Sequence, residues 1–598
     1  MQSLKPVISP KLGSVRSSSH MRIQSLFNRN STWRAVFVIT FFLRVYLAIS
    51  PSYIHPDEHF QGPEAVADKV FGWATKISWE FSSEAPVRSY VSVWLAYGLP
   101  MTIFQALLGH SHIGTVTPET MFLTLRLAFA TATWTLTDMA IDRLSDSKND
   151  KLKGLFFVST SYVTWTYQSH TFSNSVETVI VLWCLVIIHE FTNDRATNNS
   201  LVRHWDIALL GIMIALGTFN RPTFPAFIIF PIMRLSRVFY KFPWTNITFL
   251  FCAGTTTLIC IYIDTILYGV EPQPLSTVMN SLWSAILAPS TALDALASTG
   301  YVIAPLNNIL YNTQLSNLSI HGLHSRFHHV LVNLPELLGP GLIFLFSRKY
   351  LCSIPLQSAL GGITVLSIIP HQEARFLLPV VPLLCWSFDP EVLRSIKCAK
   401  IVVRAWLVFN LAMGILMGYF HQAGVVPAQS FLGEHLAHDA HTITWWKTYS
   451  PPIWILGQPV GSVQMLDPLS EGDSDRERYQ PILDELATGG VKKSHVFSNI
   501  IGSDGPLISV LDLMGADTGV VHDIVTAAVD SSPSSKHNYF VAPASTLRNA
   551  SCPNEILGTS LNFTEVWSTS KHLSMETLDW SDFSTLRPGL KVWLVEKY

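Results

Sequence analysis

The chain is short of charge. Of its 598 residues only 14% are Asp, Glu, Lys or Arg, against about 25% in a soluble protein. The deficit comes with 48% hydrophobic residues, 18 Trp and 34 Phe, which points to a multispanning membrane protein. A basic surplus is also missing: the net charge of -2 argues against nucleic acid as a partner. There is no C-x-x-C pair, so neither a zinc ribbon nor a redox pair is indicated. Of the seven Cys, Cys184, Cys252, Cys260, Cys352 and Cys385 lie in apolar runs, where a thiol acts as a small apolar residue. Cys398 and Cys552 are left over, and no disulfide is expected. Residues Met1 to Arg34 are polar, Ser-rich and basic, without an early apolar stretch or a small-residue cleavage site. They do not read as a cleaved signal peptide, and Trp33 to Ser50 is expected to be a first transmembrane helix that also targets the chain.

A span needs about 20 apolar residues. Candidates are Trp33–Ser50, Met121–Ile141, Leu155–Gln168, Val176–Phe191, Ile207–Phe219, Phe224–Met233, Ile247–Leu267, Leu337–Phe346, Leu356–Ile369, Phe376–Phe388 and Ile401–Phe420. Val91–Leu108 is also apolar but carries Gly98-Leu99-Pro100, which breaks a helix. The positive-inside rule decides its place. If it does not span, Lys148/Lys151/Lys153, Arg234/Arg237/Lys241, Arg348/Lys349 and Arg394/Lys397/Lys400/Arg404 all become cytosolic with the basic N-terminus. The run is therefore read as an interfacial or re-entrant helix, in a polytopic α-helical membrane protein of about eleven spans with a lumenal C-terminus. The sequons at Asn317, Asn549 and Asn562 then fall on the lumenal side, where they can be glycosylated, while Asn30, Asn198 and Asn246 do not. The expected organisation is a cytosolic tail (1–32), a transmembrane domain (33–420) with lumenal loops 51–118 and 269–335, and a lumenal C-terminal segment (421–598). In that segment Asn538–Val541 and Lys591–Val595 alternate as strands do, so it is read as a smaller α/β unit.

The chemistry-bearing residues gather in the loops placed in the lumen. His55-Pro56-Asp57-Glu58-His59-Phe60-Gln61 follows the first span directly, and charge at a membrane edge is costly and tends to be functional. Asp57 and Glu58 also fit the first turn of a helix begun by Pro56, where acids favour the dipole. Adjacent helical residues do not share a face, so one carboxylate is expected to face the reaction and the other to be held by a neighbour. His170 to Glu177 precedes a span; Asn174 with Glu177 fits a capping box, and His170, Asn174 and Glu177 are equally candidate substrate contacts. Arg221 sits between two spans, to snorkel or to clamp a phosphate. Asp264 lies near a helix C-terminus, where the dipole disfavours an acid, so a partner cation or a substrate hydroxyl is expected. His321, His324 and Arg326 belong to a dense His segment. Without matching Cys or an H-E-x-x-H helix no metal is expected, and the segment is read as a surface for sugar or phosphate. The turn His371-Gln372-Glu373-Ala374-Arg375-Phe376 either satisfies itself as an ion pair or presents Arg375 to a lipid phosphate.

Together these segments resemble the dolichyl-phosphate-mannose-dependent mannosyltransferases of the GT-C class (glycosyltransferase family 22). The resemblance rests on the acidic pair Asp57-Glu58, the His371-x-Glu373-x-Arg375-Phe376 turn and Ser173-Asn174-Ser175-x-Glu177. His55 to Gln61, the stretch from His321 through Arg326 to Pro335, and Trp446 to Pro452 resemble the GPI mannosyltransferases within that class. The resemblance extends to about Pro452.

It implies a lumenal enzyme of the endoplasmic reticulum membrane, without a cofactor or metal. Mannose would pass from dolichyl phosphate mannose to the third mannose of a GPI precursor glycolipid, making an α-1,2 linkage by a single inverting displacement. A sugar hydroxyl needs a base in reach, and Asp57 or Glu58 supplies it. The leaving phosphate needs cations already in place, from Arg221, Arg375 and His371, with His55, His59, Gln61 and Glu373 lining the substrate. Two other readings stand beside this one: a transferase of the same class acting on the third GPI position or on an N-glycan lipid, and a non-enzymatic transporter. The inverted repeat that marks many transporters is not seen. Whether a protein subunit is needed is left open.

Overall fold

Apolar residues that cannot be solvated along their backbone in lipid close their hydrogen bonds locally, as helices. The computed structural model of the protein describes residues 30–84, 86–109, 116–192, 200–271, 274, 276, 280, 300–320, 322–469, 474–487, 507–547, 552–558, 560–579 and 581–597. The N-terminal tail before residue 30, His321 and Asn549 lie outside them.

The main helices are α1 (Asn30–Ile49), α2 (Asp57–Phe60), α3 (Glu64–Phe71), α4 (Tyr90–Leu108), α5 (Pro118–Arg143) and α6 (Lys148–Ser159). They continue with α7 (Ser173–Thr192), α8 (Ser200–Asn220), α9 (Pro225–Ile232), α10 (Pro243–Leu267), α11 (Ile354–Leu366), α12 (Val380–Ser387) and α13 (Ile396–Ile415). Thr117, Ser147 and Ser353 cap α5, α6 and α11 by accepting a backbone N–H, satisfying groups the first turn leaves open. α7 is the buried centre of the bundle, packed against α5, α8 and α9.

Among the described residues four helices are long and apolar enough to cross a membrane: Tyr90–Leu108, Ser173–Thr192, Pro243–Leu267 and Ile396–Phe420. Several expected spans are shorter. Leu155–Gln168 is interrupted, because α6 ends at Ser159, where the Thr160 hydroxyl turns back to the Phe156 carbonyl at 2.7 Å. Leu337–Phe346 runs as a 3-10 stretch over Gly339–Leu345. The eight-residue α9 and α12 rise only about 12 Å each.

The expected break at Pro100 does not occur. α4 stays continuous because Trp94–Gly98 widens to a π turn just ahead of the proline, which re-spaces the carbonyls that a proline ring would strike. Asp264 is corrected with it. Its Oδ1 accepts from the Val91 N–H at 3.0 Å, so the acid at the end of α10 caps the start of α4. The dipole that disfavours it on its own helix favours it on the next one. α4 faces residues 125 to 136 of α5, 176 to 180 of α7 and 216 to 220 of α8 across an apolar gap.

Beyond Phe420 the chain builds a six-stranded sheet in the order β2-β3-β1-β4-β6-β5. The strands are β1 (Ala440–Trp445), β2 (Val463–Leu466), β3 (Ile508–Asp512), β4 (His537–Pro543), β5 (Leu561–Thr569) and β6 (Leu590–Lys597). β1 to β4 are parallel, and β6 is antiparallel to β4 and β5. The stretches read as alternating fall in β4 and β6. Successive side chains point to opposite faces, and both faces are buried. Leu511, Phe540, Ala542 and Trp593 meet α14 (Asp475–Ala487) and α15 (Thr518–Asp530). Val510, Tyr539, Val541 and Val592 meet Tyr53, Val425, Ala428 and Ile453 of the helical body. The sheet is thus packed onto the bundle, with the carboxyl ends of β1 and β3 turned toward its polar end.

Close approach within the bundle depends on Gly362, where an added Cβ would stand 2.2 Å from the Phe227 ring. Gly362→Val is expected to cost about 1–3 kcal/mol by overpacking, read as a lowered thermal midpoint of the detergent-solubilised protein.

Candidate active site

Pro56 starts a single turn, Asp57–Phe60, and neighbours on a turn diverge by about 100°. The two adjacent carboxylates therefore go to different places. Glu58 turns inward and is fully buried. Its Oε1 stands 2.5 Å from Arg126 Nε of α5, and its Oε2 lies 4.0 Å from His170. Burial pushes the Glu58 carboxyl up to about 7, against the pull of Arg126. Arg126 also donates to the Ser52 carbonyl at 2.8 Å, tying the exit of α1 to the same point.

Asp57 turns outward to a half-open surface. It pairs with the Arg375 guanidinium and accepts from the Gln61 amide. Burial alone would raise its pKa, but Arg375 and then His55 outweigh it and hold the carboxyl below its ordinary value. Arg375 pairs also with Glu373. Glu373 Oε1 lies 2.8 Å from His371 Nε2, and His371 Nδ1 lies 3.1 Å from the Gly322 carbonyl. Both ring nitrogens face acceptors, which favours the imidazolium: burial lowers the His371 pKa, and Glu373 outweighs that to raise it above its ordinary value. His55 is the reverse. Its Nδ1 receives the Asp57 N–H at 3.2 Å and Arg375 Nη1 at 3.0 Å, so the proton sits on Nε2, and burial followed by Arg375 lowers its pKa.

Several expected contacts turn out to be scaffold. His170 is fully buried and bound to Ser52 and the Thr166 carbonyl. His59 is buried between Phe122 and Trp454, whose indole N–H donates to it at 3.2 Å. The capping box is corrected too: α7 starts at Ser173, so Asn174 lies inside its first turn and accepts from Arg221 Nη1 at 3.2 Å. Glu177 is buried, bound by Thr223 at 2.8 Å and 3.4 Å from Arg221 Nε. Arg221 remains near the site, because its guanidinium and that of Arg375 both lie against the Phe376 ring, at 5.4 and 5.5 Å. His324 stacks with His328 at 4.4 Å and faces His371 at 6.1 Å, while Arg326 stays exposed. Asn317 bonds to the Tyr311 carbonyl, and Asn562 lies on the edge strand β5. Among the described residues no group of three His, Cys, Asp or Glu could hold a metal ion.

Sequence reasoning missed four residues that build this place. Arg126 was legible as a cation within an apolar run. Glu64 is buried and accepts from the Lys76 and Trp454 N–H groups at 2.8 and 3.2 Å; burial drives it up to about 8. Arg88, paired with Glu80 at 3.0 Å, lies within electrostatic reach of Asp57. Tyr449 comes from beyond the bundle. No local pattern marks Glu64 or Arg88, and Tyr449 lies in the Trp446–Pro452 segment of the resemblance, where it was given no role of its own.

A bundle of apolar helices that ends in a half-open set of carboxylates, arginines and histidines points to a membrane enzyme. The model of the Alg9-like mannosyltransferase family matches residues 35–457, and the chain belongs to that family; it is a glycosyltransferase. It is 38% identical over 562 residues to GPI mannosyltransferase 4 of Yarrowia lipolytica, covering 94% of this chain and 98% of that one. It is 31% identical over 574 residues to GPI mannosyltransferase 4 of Saccharomyces cerevisiae, covering 93% and 98%. Among solved structures, ArnT from Cupriavidus metallidurans bound to undecaprenyl phosphate aligns with a TM-score of 0.47 at 10% identity, over 95% of this chain and 98% of that one.

Breaking the buried pair leaves an uncompensated charge. Glu58→Gln and Arg126→Met are each expected to cost about 3–5 kcal/mol. The double variant is expected to lose less than the sum of the two, as contacting residues do; thermal unfolding of all three variants measures it.

Proposed function

We propose that this enzyme moves mannose from dolichyl phosphate mannose to the third mannose of a GPI precursor. The new bond is α-1,2-linked, and the displacement inverts in one step on the lumenal face of the endoplasmic reticulum membrane. The observation that carries this reading is the division of the acidic pair: Asp57 is ionised and accessible, while Glu58 is sealed against Arg126. Asp57 is the base. It takes the proton of the acceptor hydroxyl as that oxygen bonds to C1 of the donor mannose. The bond from C1 to the phosphate oxygen breaks, and the phosphate leaves on dolichol with the electron pair. No metal is needed in this scheme, because guanidinium groups already face the place where charge develops.

An apolar crevice of about 380 Å³ supports the donor class. It runs between α4, α5, α7 and α8, lined by Leu95, Pro100, Phe129, Val176 and Leu216, and reaches Asn220. The next residue is Arg221, which reaches the site across the Phe376 ring. An isoprenoid tail in the crevice would place its phosphate at Arg221 and its sugar toward Asp57. The orientation is supported from the opposite end. Lys349 Nζ is 3.3 Å from Asp150, Lys153 Nζ is 2.5 Å from the Tyr350 hydroxyl, and Arg234 is 3.0 Å from Gln357. Three of the four basic clusters assigned to the cytosol are thus gathered around residues 349 to 357. Asn317 and Asn562 are the proposed glycosylated sequons, with Asn549.

Three experiments test this. Asp57→Asn is expected to lower kcat by about 10²–10⁴-fold with donor KM little changed, and cells lacking the protein are expected to accumulate a three-mannose GPI intermediate. Accumulation of a two-mannose GPI or of a truncated lipid-linked oligosaccharide would assign a different acceptor. The pH profile separates the carboxylates. A base works above its pKa, so Asp57 imposes no acid limb on kcat/KM between about pH 5 and 7. Glu58 as the base would impose a limb at about 7.

A further inference from the structure

The segment Trp446 to Pro452 leaves the carboxyl end of β1, and in an α/β sheet ligands bind in the crevice outside those ends. Here that crevice opens onto the helical body. The segment is pinned on the sheet side: the Trp446 indole donates to the Ala516 carbonyl at 2.8 Å, and the Lys447 N–H donates to the Met514 carbonyl at 2.7 Å. On the bundle side the Tyr53 hydroxyl donates to the Ser450 carbonyl at 3.0 Å. Between these anchors Tyr449 is carried to the site. Its ring lies 5.6 Å from Tyr53, 5.5 Å from His421 and 6.3 Å from His55, and His55 touches both Asp57 and Arg375.

A second strand of chain arrives at the same point. The Leu573 N–H donates to the Phe420 carbonyl at 2.8 Å, and the Gln422 N–H donates to the Leu573 carbonyl at 3.0 Å. Gln422 Nε2 also donates to the Ser574 hydroxyl at 3.2 Å. This strap sets Glu576, which stays open to solvent, beside the Tyr449 hydroxyl, close enough for each to shift the other's pKa. The arrangement is an aromatic face with a polar tip and an exposed carboxylate, held from both sides beside the base yet making no pair with Asp57, Glu373 or Arg375.

We infer that Tyr449 and Glu576 form the wall that recognises the acceptor glycan, with the ring against a sugar face and the carboxylate accepting from sugar hydroxyls. This rests on the functional reading above. The ring and the acid are specificity-determining rather than catalytic: they select which terminal sugar brings its hydroxyl to Asp57. The C–H face of a neutral hexose suits the ring, and its ring hydroxyls suit an anionic acceptor. A site built to bond a substrate hydroxyl rejects an analogue that lacks it.

The test uses the full-length enzyme in detergent, with dolichyl phosphate mannose and a mannose-terminated glycolipid as the varied substrates. Tyr449→Ala is expected to raise acceptor KM by about 10-fold or more while donor KM holds within about 2-fold. Tyr449→Phe, which keeps the ring, and Glu576→Gln are each expected to raise acceptor KM by about 3–10-fold. If Tyr449→Ala unfolds, Glu576→Gln and Tyr449→Phe decide the matter. Acceptor KM unchanged in those two, or kcat lowered in them with both KM values intact, overturns the wall. The wild-type rate on the same substrates tests the functional reading separately, so an active wild type with indifferent variants would sink this inference alone.

Discussion

The pair between Glu58 and Arg126 is the constraint on which the site depends. Neither side chain has any exposed surface, so neither can be left alone without leaving a buried charge uncompensated. Arg126 also holds the Ser52 carbonyl, so the end of α1, the turn that begins at Pro56 and the middle of α5 share one joint. Once Glu58 points inward, Asp57 must point out, toward the turn from Glu373 to Phe376. A single buried contact thereby sets the direction of the residue proposed as the base, without touching the substrate side. Glu64 extends the same joint to Trp454 and Lys76, which ties the first polar loop to the chain that carries the sheet.

Much of this was readable from residues alone, for reasons that differ from element to element. The apolar runs marked the bundle because lipid leaves a backbone little choice. The divergence of Asp57 and Glu58 followed from helical geometry, and their division into an outward and an inward carboxylate is what the turn shows. The alternation at Asn538–Val541 and Lys591–Val595 marked β4 and β6. What failed were inferences from one residue considered on its own helix. Pro100 was read as a breaker, but a π turn absorbs it. Asp264 was read as an acid in want of a cation, but it caps a different helix from 173 residues away. Asn174 was read as a cap, but it is a hydrogen-bond acceptor for Arg221. For Asp264 and Asn174 the partner is distant in sequence, and a local pattern carries no record of it; for Pro100 the change is a widened turn just ahead of the ring.

The same reason explains why Arg88 and Tyr449 were missed and why His170 and His59 were over-read. Polar residues near a membrane edge cost free energy wherever they sit, and that cost is met equally by a substrate or by a buried partner. His170 and His59 have buried partners and carry the wall behind Glu58. Asp57 and His371 keep a solvent-facing side, and Arg375, itself buried, pairs with Asp57 and Glu373. Contact with that half-open group, rather than residue type, sets these residues apart from the buried pairs behind Glu58.

The contact between Asp57 and Arg375 imposes a particular timing on the proposed chemistry. A carboxylate held against a guanidinium is certain to be ionised but is a weaker base for it. It cannot strip a sugar hydroxyl in the ground state, where that hydroxyl is far less acidic than any carboxylic acid. It can accept the proton only once the oxygen has begun to bond to C1 and has taken on positive character, as in other displacements through an oxocarbenium-like transition state. Departure of the phosphate must therefore run ahead of proton transfer, which shifts the burden to the cations that face the leaving group. Arg221, which like Arg375 lies against the Phe376 ring and follows Asn220 at the end of the apolar crevice, is the cation the proposal assigns to it, while Arg375 is already committed to Asp57 and Glu373. The division of the acidic pair into base and organiser is thus matched by a division of the arginines, one keeping the base charged and the other receiving the charge that leaves.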